Sequence, residues 1–92
     1  MRSCQRTALA ALLFTVGKPQ AGLEQFREVV GLTPQDAEAW INFASANAQV
    51  GRMADALVAV NRARELAQAQ GRTDLVQEAD SLVTSIRGAP KN

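Results

Sequence analysis

Glycines 17 and 51 stand 34 residues apart, and the residues around them keep that spacing. Shifted by this period, Ala10 falls on Ala44, Val16 on Val50, Leu23 on Leu57 and Leu32 on Leu66. Phe26 falls on Val60, Leu9 on Phe43 and Gly22 on Ala56, so size class survives where identity is lost. The matched positions are apolar or small, whereas the polar residues between them drift. A period of about 34 residues is the length of one helix–turn–helix unit, which buries its apolar side only by stacking on a copy of itself. The chain is therefore confined to a stack of helix pairs. The product of such a stack is a surface, and no catalytic pocket is required of it.

Composition agrees with this and removes several alternatives. Hydrophobic residues make up 47% of the 92 positions but aromatics only 4%, so the core has to be built from Ala, Leu and Val. Few β-branched runs occur, which favours helix over sheet. A net charge of +1 with acids and bases interspersed provides no basic stripe for nucleic acid. Arg62, Arg64 and Glu65 read as a solvated helix face. Cys4 is the sole cysteine, read as inert, and there is no histidine. Without histidine, His-based acid–base chemistry, the Ser-His-Asp triad and most zinc sites are absent. No metal site and no cofactor is expected. Asp36 with Glu38, and Glu78 with Asp80, are two apart on helices and point to different faces, so they are no acid–base pair.

Arg2 and Arg6 precede the apolar run Ala8 to Phe14, a layout shared with secretory leaders. No small-x-small cleavage site follows, the run is too short to span a bilayer, and the repeat register explains the same residues. This favours a cytoplasmic protein without membrane association, and leaves a secretory signal at residues 1–17 as the alternative.

Five helices are expected. The first runs from about Ser3 to Val16 and stops at Gly17, which suits the left-handed conformation. The second has Pro19 in its first turn, buries Leu23, Phe26, Val29 and Val30, and stops at Gly31. Thr33-Pro34-Gln35-Asp36 is read as a hydroxyl N-cap with proline at the first helical position; the third helix then continues through Trp40, Phe43 and Ala44 to Val50. The fourth spans about Met53 to Gln70, with Ala56, Leu57, Val60 and Ala63 on its buried stripe. The fifth starts after Thr73 as N-cap. Leu75, Val76, Ala79, Leu82, Val83 and Ile86 share one side, and Gln77, Glu78, Asp80, Ser81, Thr84 and Ser85 the other. One apolar and one polar face is what closes a stack. The domain layout is thus one unit over 1–92: repeat one at 3–36, repeat two at 37–70, a capping helix at 73–87 and a frayed tail at 88–92.

The second unit resembles the tetratricopeptide repeat. Trp40 stands at that family's tryptophan position, Phe43 at its leucine, Ala44 at its first small residue, and Ala56 and Ala63 at its alanines. Asn47 replaces the usual tyrosine, Val60 the aromatic and Gln68 the closing proline. In the first unit Leu9, Ala10, Gly17, Phe26 and Pro34 agree, while Arg6 and Gly22 depart. The resemblance covers nearly the whole chain and implies an all-α fold, a right-handed superhelical stack of antiparallel helix pairs. It also implies that the first helix of each pair lines a concave groove that receives a peptide. Glu38, Ile41, Asn42, Ser45, Ala48 and Gln49 would face that groove from repeat two, and Cys4, Thr7, Ala8, Ala11 and Phe14 from repeat one. Asn42 could both donate to and accept from a peptide backbone. The family's carboxylate clamp for chaperone C-termini fits poorly: Thr7, Ala11 and Val76 stand where it wants Lys, Asn and Arg, and only Asn42 and Arg72 suit it.

The expected function is a non-enzymatic interaction module for a protein or peptide. Two alternatives stay open. One is self-association into a homodimer through the apolar first helix at Leu12, Leu13 and Phe14; the other is the recruiting tail of a larger enzyme.

Overall fold

The computed structural model describes Leu12 and residues 16–88, apart from the side chain of Pro19. These form four helices and no strand: α1 Pro19–Leu32, α2 Ala37–Gln49, α3 Met53–Ala69 and α4 Thr73–Arg87. They correspond to the second to fifth expected helices. The first expected helix and the tail beyond Gly88 lie outside the described residues, except Leu12, which is helical, and the turn at Val16 and Gly17.

Each helix packs on its neighbours in sequence, and α4 also reaches back to α2. The central core lies among α2, α3 and α4, where Ala44, Ala56, Ala59, Val60, Ala63, Ala67 and Ala79 are all 0–1% exposed. Alanine at these crossings keeps the helix axes close, and the close-packed interior depends on it. Leu23 and Phe26 of α1 pack on Ala46, and Val29 and Val30 on Ala39, so α1 is held by the opposite edge of α2. The expected polar side of α4, Gln77, Glu78, Asp80, Ser81, Thr84 and Ser85, is exposed throughout.

Two helix ends repeat one geometry. At the end of α2, Arg52 N–H donates to Asn47 O at 2.8 Å and Gly51 N–H to Ala48 O at 3.1 Å. At the end of α3, Arg72 donates to Ala67 O at 2.8 Å and Gly71 to Gln68 O at 3.2 Å. Both are Schellman motifs, in which the residue after the cap turns left-handed so that two orphan carbonyls find donors. Gly51 has φ 85° and Gly71 φ 70°, as that role demands.

Three helix boundaries differ from expectation. Helix α1 does not stop at Gly31 but runs one residue further, to Leu32. Thr33 does not cap α2: its hydroxyl turns back and donates to Val29 O at 2.8 Å, closing the end of α1. Pro34 explains this, because the residue before a proline is held out of the helical region and the chain makes a turn closed by Asp36 N–H to Thr33 O at 3.0 Å. The cap is Asp36, whose Oδ1 accepts from Glu38 N–H at 3.0 Å and Ala39 N–H at 3.3 Å. Likewise Thr73 is the first residue of α4, and Arg72 precedes it without a side-chain cap.

Candidate interaction surface

Helix α2 carries two sets of side chains on different sides. One set, Glu38, Asn42, Ser45, Ala48 and Gln49, contains the residues expected to meet a ligand. Glu38 and Gln49 are exposed, and Asn42, Ser45 and Ala48 are half-buried. Ile41 does not join them. It is 5% exposed and belongs to the core among α2, α3 and α4, so it supports this side of α2 and cannot be offered to a ligand. The cause is the packing of α4 on α2. Thr7, Leu13 and Phe14 lie outside the described residues; Leu12 is 55% exposed.

The C-terminal halves of α2 and α4 enclose a cleft of about 350 Å³. Ser45, Ala48 and Gln49 line it from α2, Met53 from the start of α3, and Leu82, Ser85 and Ile86 from α4. Sequence periodicity had placed Leu82 and Ile86 in the buried stripe and assigned Met53 no role. The edge of that stripe lines a cleft between α2, α4 and the start of α3, which no single-helix pattern reports. None of the lining side chains is ionisable. Charge gathers instead at the other end, where Arg72 pairs with Asp74 at 3.1 Å. Hydrogen bonding to Asp74 and its charge raise the pKa of Arg72, with smaller contributions from Glu38 and Asp36. The same hydrogen bond from Arg72 lowers that of Asp74.

The other side of α2 presents Trp40, Phe43 and Asn47. The two rings meet edge to face, with centroids 6.1 Å apart at 65°. Trp40 is half-buried against the core rather than enclosed by it, and its Nε1–H donates to Pro34 O at 2.9 Å. Together with Arg27 of α1 and Asp55, Val58 and Ala59 of α3, these residues surround a smaller cavity of about 180 Å³.

Among the described residues no group of three or more Cys, Asp or Glu side chains is placed to hold a metal ion, and no helix is long and apolar enough to cross a membrane.

Among solved structures, the chain superposes on a tetratricopeptide repeat domain protein from Salinibacter ruber with a TM-score of 0.86, over 98% of this chain and 91% of that one, at 19% identity. The fold is that of tetratricopeptide repeats. A crystal structure of MamA protein matches with a TM-score of 0.59 at 22% identity, over 94% of this chain and 55% of MamA. No family model and no curated protein matches the chain in sequence. In tetratricopeptide terms, α2 and α3 are the helix pair of one repeat. The substitution of the family tyrosine by Asn47 falls in the smaller cavity.

Proposed function

We propose that the chain is a non-enzymatic protein-interaction module, and that the cleft between α2 and α4 receives a peptide or protein segment. The observation that carries this is the cleft itself. It is concave and lined by Ala48, Met53 and Leu82 for apolar contact above the buried Ile86, with Ser45, Gln49 and Ser85 as hydrogen-bonding groups. Ligand sites have this character: mostly apolar walls and a few polar groups that fix orientation. Met53, 38% exposed, adds a flexible, polarisable surface able to adapt to different side chains. The absence of charge in the lining favours an uncharged stretch of ligand over a terminal carboxylate. Asn42 and Glu38 extend the same side of α2 beyond the cleft. With the helix pairs stacked in a right-handed superhelix, this side would be the concave one.

Selection from a random peptide library against the intact chain tests the reading. Enriched peptides should shift amide resonances at Ser45, Ala48, Gln49 and Leu82, and should lose binding to Ala48→Arg and Gln49→Ala variants. Peptides that bind equally well to both variants would remove the cleft from consideration.

A second reading rests on Leu12 and Val16, 55% and 57% exposed at the start of the described chain. Two copies paired through this region would cover both in an isologous contact. Leu12→Glu with Leu13→Glu should then convert a dimer to a monomer in light scattering.

A further inference from the structure

Among the described residues, one polar atom of a side chain that lines the smaller cavity has no hydrogen-bond donor. Asn47 is 2% exposed, and its Nδ2 donates to Phe43 O at 2.9 Å. That bond fixes the amide, because the reverse orientation would bring two oxygens together. Its Oδ1 therefore points away from the Phe43 carbonyl. Among the described residues nothing donates to it, yet no buried side-chain nitrogen or oxygen is sealed off without a partner. Oδ1 is thus left for the cavity that Asn47 lines. The result is an acceptor beside a notch with both apolar and polar walls.

The notch has the size and polarity of one kind of occupant. Its volume of about 180 Å³ compares with the ~150 Å³ that admits a single benzene ring. Trp40, Phe43 and Ala59 provide its walls, together with Val58, which is 69% exposed. An exposed valine beside two aromatic rings extends the apolar wall outward. Arg27 and Asp55 stand at the rim with opposite signs, so the entrance is balanced and favours an uncharged group. A phenol meets all three requirements: one ring, one O–H donor, and neutrality up to a pKa of about 10. A phenylalanine ring would leave Oδ1 without a donor.

We propose that this notch receives a tyrosine side chain from a partner polypeptide, with its hydroxyl donating to Asn47 Oδ1 and its ring against Trp40 and Val58. The site lies on a different side of α2 from the cleft and does not depend on it.

The test is an NMR titration of the full chain with two capped pentapeptides, Gly-Gly-Tyr-Gly-Gly and its phenylalanine counterpart. The tyrosine peptide should shift the Asn47 side-chain amide and the Trp40 indole N–H. It should bind about three- to tenfold more tightly than the phenylalanine peptide, the worth of one hydrogen bond. Val58→Glu, at an exposed position, should abolish both interactions without unfolding the chain. Asn47→Leu should erase the preference for tyrosine, and if that variant fails to fold, the Val58→Glu comparison still decides. Equal affinity for the two peptides, silence at Asn47 and Trp40, or undiminished binding to Val58→Glu would each overturn the proposal.

Discussion

Arg64 on α3 and Asp80 on α4 face each other across the helix contact, with Nε 2.7 Å from Oδ1. The pairs Arg52–Asp55, Arg62–Glu65 and Arg72–Asp74 join positions two or three apart in sequence. This one ties two separate helices together. Both side chains are about half exposed, at 45% and 52%, so solvent screens much of the attraction. Asp80→Asn should cost no more than ~1 kcal/mol, and the loss should shrink in high salt. Urea melts at low and high ionic strength measure both. A cost of several kcal/mol that ignores salt would mean that packing, not charge, holds α4 at this point.

Trp40 provides a second measurement. It is half-buried, contacts core residues, stacks edge to face with Phe43 and donates to Pro34 O. Emptying a fully buried tryptophan site costs ~3–5 kcal/mol; partial exposure lowers the expectation for Trp40→Ala to ~2–4 kcal/mol. Trp40→Phe should retain most of the packing and lose about 1 kcal/mol with the hydrogen bond. A thermal melt of Trp40→Ala that matches the parent would show that the ring contributes nothing to the core.

Two glycines should respond in opposite directions. Gly51 has φ 85°, where a Cβ costs roughly 1–2 kcal/mol, so Gly51→Ala should destabilise by about that amount. Gly31 lies inside α1, without positive φ, and a Cβ there meets nothing within 4 Å. Gly31→Ala should stabilise by ~0.5–1 kcal/mol. Chemical denaturation of the pair gives the signs directly, and the same sign in both would contradict the helix boundary at Leu32.

The Arg72–Asp74 pair gives a pH dependence with a fixed sign. The folded pKa of Asp74 lies below its ordinary 3.8, chiefly through the hydrogen bond from Arg72. Its contribution to stability is therefore complete above the ordinary value and is lost as pH falls through the lower folded value. Arg72, whose pKa is raised by the same pairing, stays charged throughout. Asp74→Asn should melt slightly below the parent at neutral pH and converge with it in strong acid. A gap in melting temperature that widens toward low pH would reverse the assignment.

Periodicity along the chain was enough to identify the four described helices, because a 34-residue echo of apolar and small residues has meaning only if each copy buries the same stripe. It also placed Ala44, Ala56 and Ala63 in the buried core, and Gly51 and Gly71 after helix ends, since these depend on local size and φ. Boundaries were less legible. Thr33 and Asp36 are both competent caps, and only the turn imposed at Pro34 decided that the threonine closes α1 while the aspartate opens α2. The recognition surface was the least legible. Ile41 and Ala48 are both apolar residues of one helix, yet Ile41 is buried in the core among α2, α3 and α4 and Ala48 lines a cleft. Asn47 looked like an isolated departure from a family pattern, until Arg27, Val58 and Trp40 from three different helices gathered around it. A sequence records the period of each helix, but the angle at which helices separate depends on side chains from all of them at once.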